Sequence, residues 1–515
     1  MRRDLARLVA LANLILLFVA VRPLSAATFT WIKNSGGNGS GSWTNQANWS
    51  GATLATTTSD AVNFNTLDIT ADSTVTLDGN QSANVLNFGD TNTSTAGSWI
   101  INAGSPSSST LTLGGASPTI NVPSLGGGKA AAINAIITGT AGFTKTGTSF
   151  LQLNGVNTYS GDTILSGSDC RTSIGNDLAL GTELVTVGGT VGDGQNWFNA
   201  AGSRTLTNAF EIRTIRWIID NTAVNGVAAG NLTLGGNVLI NTGSSNVRDI
   251  YCSMNLTING NVSVTPTNNP MNKNGGYTLT LNGTNTVGGA SAVNGGTLIV
   301  NGPMNGGATF TVNSGSALGG TGVFSGPIVV ANGGNLVAGN SSGGTLTCRG
   351  LTANATSQLS LALGATNNPA NSMFVVNGNL TLAGTLSLSD LGFSSAGAYT
   401  NFYYSGTLVN NGLTVMGGPL GNTAVVDTSI PHYVLLRILA GQLSPGAGDG
   451  VPMDSVSPLT LTWVQVLGAA NYEVYFGTVS NAVAAAETNT AEIYLGRTNA
   501  LALNVANLQP NTTYY

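Results

Sequence analysis

The chain has 515 residues, of which 7% are charged and 71 are glycine, with a formal net charge of −5. Typical soluble proteins carry about 25% charged residues and about 7% glycine, so here Asn, Thr and Ser supply the polarity that charges normally supply. The charge is too small and too dispersed to mark a basic surface for nucleic acid, and the length exceeds one ordinary domain unless that domain is a solenoid growing in one dimension.

In chain order, residues 1–27 read as a signal peptide. Arg2, Arg3 and Arg7 precede the apolar run Leu8–Val21, and Ser25-Ala26-Ala27 supplies a small-x-small cleavage site. No later stretch has membrane-spanning length. Residues 28–70 read as the N-terminal cap of a solenoid, with Trp31, Trp43 and Trp49 as its core. A stack of coils needs such a cap to cover its first apolar rung and to block edge pairing. Tryptophans also stack on sugar rings, so the same three residues are the candidate carbohydrate contacts.

From 71 to 440 one grammar repeats: a short strand, a Gly or Asn-Gly turn, and another short strand. Leu-x-Leu or Leu-x-Ile triplets followed by such turns begin at Leu111, Leu151, Leu232, Leu256, Leu279, Leu298 and Leu380. Four of these, Leu232, Leu256, Leu279 and Leu298, follow one another 24, 23 and 19 residues apart. That period, with strand alternation and no helical pattern, predicts an all-β fold: a right-handed parallel β-helix (β-solenoid) of roughly 17 coils, about 4.8 Å apart. Stacked propellers or sandwiches are the competing architecture. Inward Leu, Ile and Val ladders and corner ladders of Asn and Thr are expected. The clearest copy is GFTKTGTSFLQLNGVNTYSGDT, where Lys145, Gly147, Leu151, Leu153, Gly155, Asn157, Tyr159 and Gly161 are the motif positions. This stretch resembles the autotransporter-associated β-strand repeat, also called the passenger-associated transport repeat; Ser149 stands where that family usually has Gly. The resemblance implies export across the outer membrane of a Gram-negative bacterium with help from outer-membrane export machinery, an extracellular or outer-membrane surface location, and adhesion.

Residues 441–454 form a Pro/Gly linker. Beyond it, residues 455–515 resemble an incomplete fibronectin type III-like β-sandwich, with Trp463 and Tyr472 as core and Tyr514 at the tyrosine corner of an L-x-P-x-T-x-Y signature. The three cysteines, Cys170, Cys252 and Cys348, lie 82 and 96 residues apart without C-x-x-C spacing, which predicts buried thiols rather than zinc or disulfides.

Chemistry-bearing residues are sparse. His432 is the sole histidine and reads as a strand-start or capping residue. Asp60, Asp68, Asp72, Asp78 and Asp90 come nearest to a carboxylate cluster, as calcium ligands or acid/base groups, but read more simply as turn and alternating polar positions. Arg213, Arg216 and Asp220 could form a functional lip or a solvated strand face. Gly126-Gly127-Gly128-Lys129 lacks phosphate-loop spacing, and no catalytic, metal or cofactor site is assigned. The expected function is therefore a secreted or surface-displayed bacterial structural or adhesin-type stalk. The alternative is an extracellular β-helix protein that binds polysaccharide or degrades it as lyase or hydrolase.

Overall fold

The computed structural model describes residues 26–515 apart from 96, 244–247, 341, 366–367, 370, 392–396, 418–423, 439–442, 445–458, 464–470, 507, 510–511 and 513. The expected signal peptide, except its last two residues, and most of the Pro/Gly linker lie outside the described residues. The chain divides into two compact units, 1–260 and 261–515.

In the first unit, short strands stack in parallel register. One column runs from Val62 through Leu86, Ile120, Lys145, Leu165, Val187 and Ile212 to Ile240. A second runs from Val75 through Ile101, Ile133, Leu153 and Ile174 to Ala200. Every side chain in both columns is buried, because alternation sends one residue in two inward and Gly or Asn closes each corner. Each fully buried Leu or Ile contributes roughly 1.5–3 kcal/mol. The stack begins inside the segment expected to be only a cap: Thr28–Thr30 already pairs in parallel with Ala61–Asn63.

The second unit continues the same grammar. Leu279, Leu298, Leu318, Leu336, Leu359, Leu386 and Val415 form one inner column. Leu279 and Leu298 open two of the triplets seen in the sequence. That face ends with the parallel strand Leu408–Gly417, and on the neighbouring face growth stops where Gly397–Tyr404 pairs antiparallel with Tyr433–Ile438, which also pairs with Ala424–Asp427. A reversed strand cannot extend a parallel stack, and it covers the edge that would otherwise template further pairing.

Within residues 71–437, and among the described residues, the parallel strands of the sheet that holds Val85–Gly89 in the first unit and Gly397–Tyr404 in the second number seven in each unit, against the roughly 17 coils expected. The physical reason is uneven coil length. Asn121 meets Asn87 across 34 residues, while Asn154 meets Asn134 across 20. The longer coils carry outer loops that the triplet spacing does not count.

Amide ladders run from coil to coil, the first along the outside of strands and the others at strand ends, where the chain turns its corners. Asn87 donates to Asn63 at 2.8 Å and Asn121 to Asn87 at 3.2 Å, with Thr146 donating to Asn121. Another ladder joins Asn134 to Asn102 and Asn154 to Asn134, and a third joins Asn294 to Asn274 and Asn313 to Asn294. Cys170, Cys252 and Cys348 are buried, and among the described residues no disulfide forms.

Beyond the linker, Leu459–Trp463 pairs antiparallel with Ala502–Val505 and with Leu443–Ser444, while Tyr472–Tyr475 pairs with Tyr494–Thr498. Leu461, Trp463, Val474 and Val505 form their shared core. A short helix, Ser480–Ala484, makes this segment less than wholly β.

Candidate functional site

The three cap tryptophans are not on the surface. Trp31, Trp43 and Trp49 are at most 1% exposed and pack edge-to-face, Trp49 lying 5.0 Å from Trp31 and 5.1 Å from Trp43. Phe64 touches all three and passes the cluster on to Phe88 and Trp99. Their indole nitrogens donate to backbone carbonyls of Gly39, Ala55 and Trp43. A sugar ring has no face to stack on at these buried residues, which speaks against the candidate carbohydrate contact there.

The motif residues around Lys145 each have a structural task. Lys145 occupies a rung of the inner column described above, fully buried. Its ammonium turns back to donate to the carbonyls of Gly147 and, at 2.8 Å, Ser149. Burial pushes its pKa down to about 8, partly offset by the neighbouring Cys170 thiol. Gly147 sits at φ +85°, where an added Cβ would lie 2.5 Å from the Val122 carbonyl carbon. Leu151 and Leu153 are interior. Gly155 passes against the Ala135 carbonyl. Asn157 links three coils: it accepts from the Ile137 amide at 2.8 Å and donates to the Ala179 carbonyl at 2.6 Å. Tyr159 is buried edge-on to Phe143, its hydroxyl 2.6 Å from the Thr163 hydroxyl, and burial raises its pKa. Gly161 abuts the backbone of Gly142, leaving no room for a side chain. A second interior lysine repeats the device. Lys273 pairs with Val293, which continues through Val312 and Val330, and its ammonium donates to carbonyls of Asn274, Gly275 and Gly295.

The early aspartates do not converge. Asp60 accepts from the Thr56 and Thr57 amides, Asp90 from Ile69 and Asn92, and Asp68 from the Thr95 hydroxyl. Asp78 accepts from Thr76 and Ser105, and hydrogen bonds, led by Ser42 and Thr76, lower its pKa. Asp72 pairs with Lys129 at 2.8 Å and accepts from Ser98; partial burial raises its pKa, but these bonds outweigh it and leave the value lowered. Among the described residues no three of His, Cys, Asp and Glu lie close enough to hold a metal ion.

The lip residues separate too. Arg213 pairs with Glu211 at 2.7 Å, Arg216 lies 3.8 Å from Asp249, and Asp220 is buried. His432 occupies a turn at φ +68°, with Nδ1 3.0 Å from the Tyr404 carbonyl, just before the strand Tyr433–Ile438.

Two outer-face features had no sequence signal. Residues 221–228 fold back across the outside of the first unit. Val224 buries against Ala130 and Phe150, while Asn225 bonds Gln152, the Gly128 carbonyl and, 127 residues away, Ser98. In the second unit an uncharged column runs along the outside in register: Pro303, Val323, Thr347, Val375, Tyr403 and, across the antiparallel junction, Tyr433. Val323 is 50% and Tyr433 39% exposed, and the Tyr403 and Tyr433 rings sit 5.5 Å apart at a tilt of 60°.

No protein-family model matches the chain. A stretch of 101 residues is 37% identical to a protein of Brucella suis biovar 1 (strain 1330) described as "Adhesin BmaC autotransporter". The match takes in 20% of this chain and 3% of that much longer protein. Among the described residues no helix is long and apolar enough to cross a membrane.

Proposed function

We propose that this chain is a passenger stalk of a surface-displayed bacterial adhesin, without a catalytic task of its own. The observation that carries the reading is the coincidence of a parallel β-solenoid with sequence identity to an autotransporter adhesin. A solenoid suits the role because the strands of each coil pair with those of the adjacent coils, so a stack of any length satisfies its own backbone while projecting from a surface. Its near absence of charge leaves few long-range repulsions along the stack.

The repeats are of the autotransporter-associated type in this reading, supported by the interior lysine, the glycine contacts and the coil-bridging Asn157 at the motif positions. Residues 1–27 direct export, and the terminal segment has a fibronectin type III-like fold. Support for the latter comes from Trp463 and Val474 in one core and from the Tyr514 hydroxyl, which accepts from the Gln509 amide at 2.8 Å, the bond a tyrosine corner makes.

The test is antibody labelling of intact producing cells, together with assay of the purified chain on a polysaccharide panel. Labelling without permeabilisation, and no release of reducing or unsaturated ends with or without calcium, is the expected outcome. Turnover of any polymer would replace this reading with that of a polysaccharide-degrading enzyme.

A further inference from the structure

The outer column of the second unit has the chemistry of a carbohydrate contact, far from the tryptophans that are the candidate contacts by sequence. Val323, Thr347, Val375, Tyr403 and Tyr433 follow one another strand by strand, all pointing outward, while their neighbours Phe324, Leu346, Phe374 and Phe402 point into the core. The spacing is that of adjacent parallel strands, about 4.8 Å. The surface is therefore a linear, regularly repeating track rather than a pocket, and a linear polymer fits it better than a compact ligand.

Its composition narrows the polymer. None of the five side chains is charged, so an anionic or cationic chain finds no counter-charge in the column. Tyrosine offers an apolar ring face and a hydroxyl together, which matches the C–H face and hydroxyl rim of a sugar ring. Uncharged tyrosines also suit the centre of a protein interface, but a column one side chain wide offers less area than the roughly 800 Å² per partner that a stable interface buries. The exposed Arg349, two residues beyond Thr347, is the nearest charge along that strand and provides a control.

We propose that this column binds an extended, uncharged glycan chain, with Tyr403 and Tyr433 as the stacking platform. This deepens the adhesin reading and rests on it. The test uses the full chain on immobilised neutral glucan, mannan and galactan, with polygalacturonate as the acidic comparison. Tyr403→Ala/Tyr433→Ala should weaken retention on at least one neutral glycan by tenfold or more. Tyr403→Phe/Tyr433→Phe should keep most of the retention because the rings remain, which also controls for folding. Arg349→Ala should leave retention on the neutral glycan unchanged, as should 0.5 M salt.

Four results would overturn the assignment: no retention on any neutral glycan, equal retention by the double alanine variant, retention confined to polygalacturonate and lost in Arg349→Ala, or glycan-free self-association that the same tyrosine substitutions abolish. The last would make the column a contact between copies of the chain. Adherence of producing cells separates the two levels: cells that adhere equally with the double alanine variant sink the track and leave the adhesin reading intact.

Discussion

Replacing Lys145 by Met should remove a pH dependence that the native protein carries. Lys145 stands in a column otherwise made of Val, Leu and Ile, and burial lowers its pKa from 10.5 to about 8. The unfolded chain thus keeps the proton up to 10.5, while the folded chain releases it near 8. Proton binding favours the unfolded state through this window, so the burden of the buried charge is full below pH 8 and fades as pH rises towards 10.5. At about 1.36 kcal/mol per pKa unit, the native protein should gain about 2 kcal/mol between pH 7.5 and 9.5 that Lys145→Met does not. Methionine fits the column but leaves the Gly147 and Ser149 carbonyls without the ammonium, at about 1–3 kcal/mol each. At pH 9.5 the variant should therefore be clearly the less stable protein. Burial raises the pKa values of Tyr159, Cys170 and Cys348, which acts in the opposite direction as those groups ionise in the unfolded chain. Tyr159 and Cys348 are common to both proteins and cancel in the difference, which is the readout; Cys170 loses the lowering influence of Lys145 in the variant, which shifts the difference in the same sense. Urea unfolding of both at pH 7.5, 8.5 and 9.5 supplies it, and a difference constant to within about 0.5 kcal/mol would refute the reasoning.

Three further outcomes follow from the packing. Asn157→Ala removes bonds to coils on both sides and should cost about 2–3 kcal/mol, read as earlier amide exchange at Ile137. Trp49→Ala empties the centre of the cap cluster at about 3–5 kcal/mol and should expose Thr28–Phe64 to limited proteolysis while the second unit stays resistant. Val224→Asp places a charge against Ala130 and Phe150; residues 221–228 should then become cleavable while the β-rich circular dichroism spectrum persists.

Much of the architecture was legible because a parallel solenoid writes its geometry into a short period. The Leu-Thr-Leu triplet at Leu279 and the Leu-Ile-Val triplet at Leu298, each closed by Asn-Gly, became neighbours in one inner column. The coil count was less legible, since a coil tolerates an outer loop that leaves its inward residues unchanged, as between Asn87 and Asn121. The tryptophans at 31, 43 and 49 showed composition but not direction: a cap and a sugar platform both need aromatic rings, and only packing against Phe64 decides between them. Residues 221–228 carry no local signal of their place, because their partners lie up to 127 residues back. The outer column escaped notice for a related reason. Its members sit one per coil, at intervals set by variable loops, and no local pattern unites Val323 with Tyr433.

A passenger stalk of the proposed kind holds its bearer to a surface. Adherence to host-cell monolayers and glycan-coated plates should therefore be compared between a producing strain, its deletion mutant and the complemented mutant. Deletion should reduce adherence and complementation should restore it. Unchanged adherence in the deletion mutant, with the protein shown on the surface of the parent cells, would contradict that role.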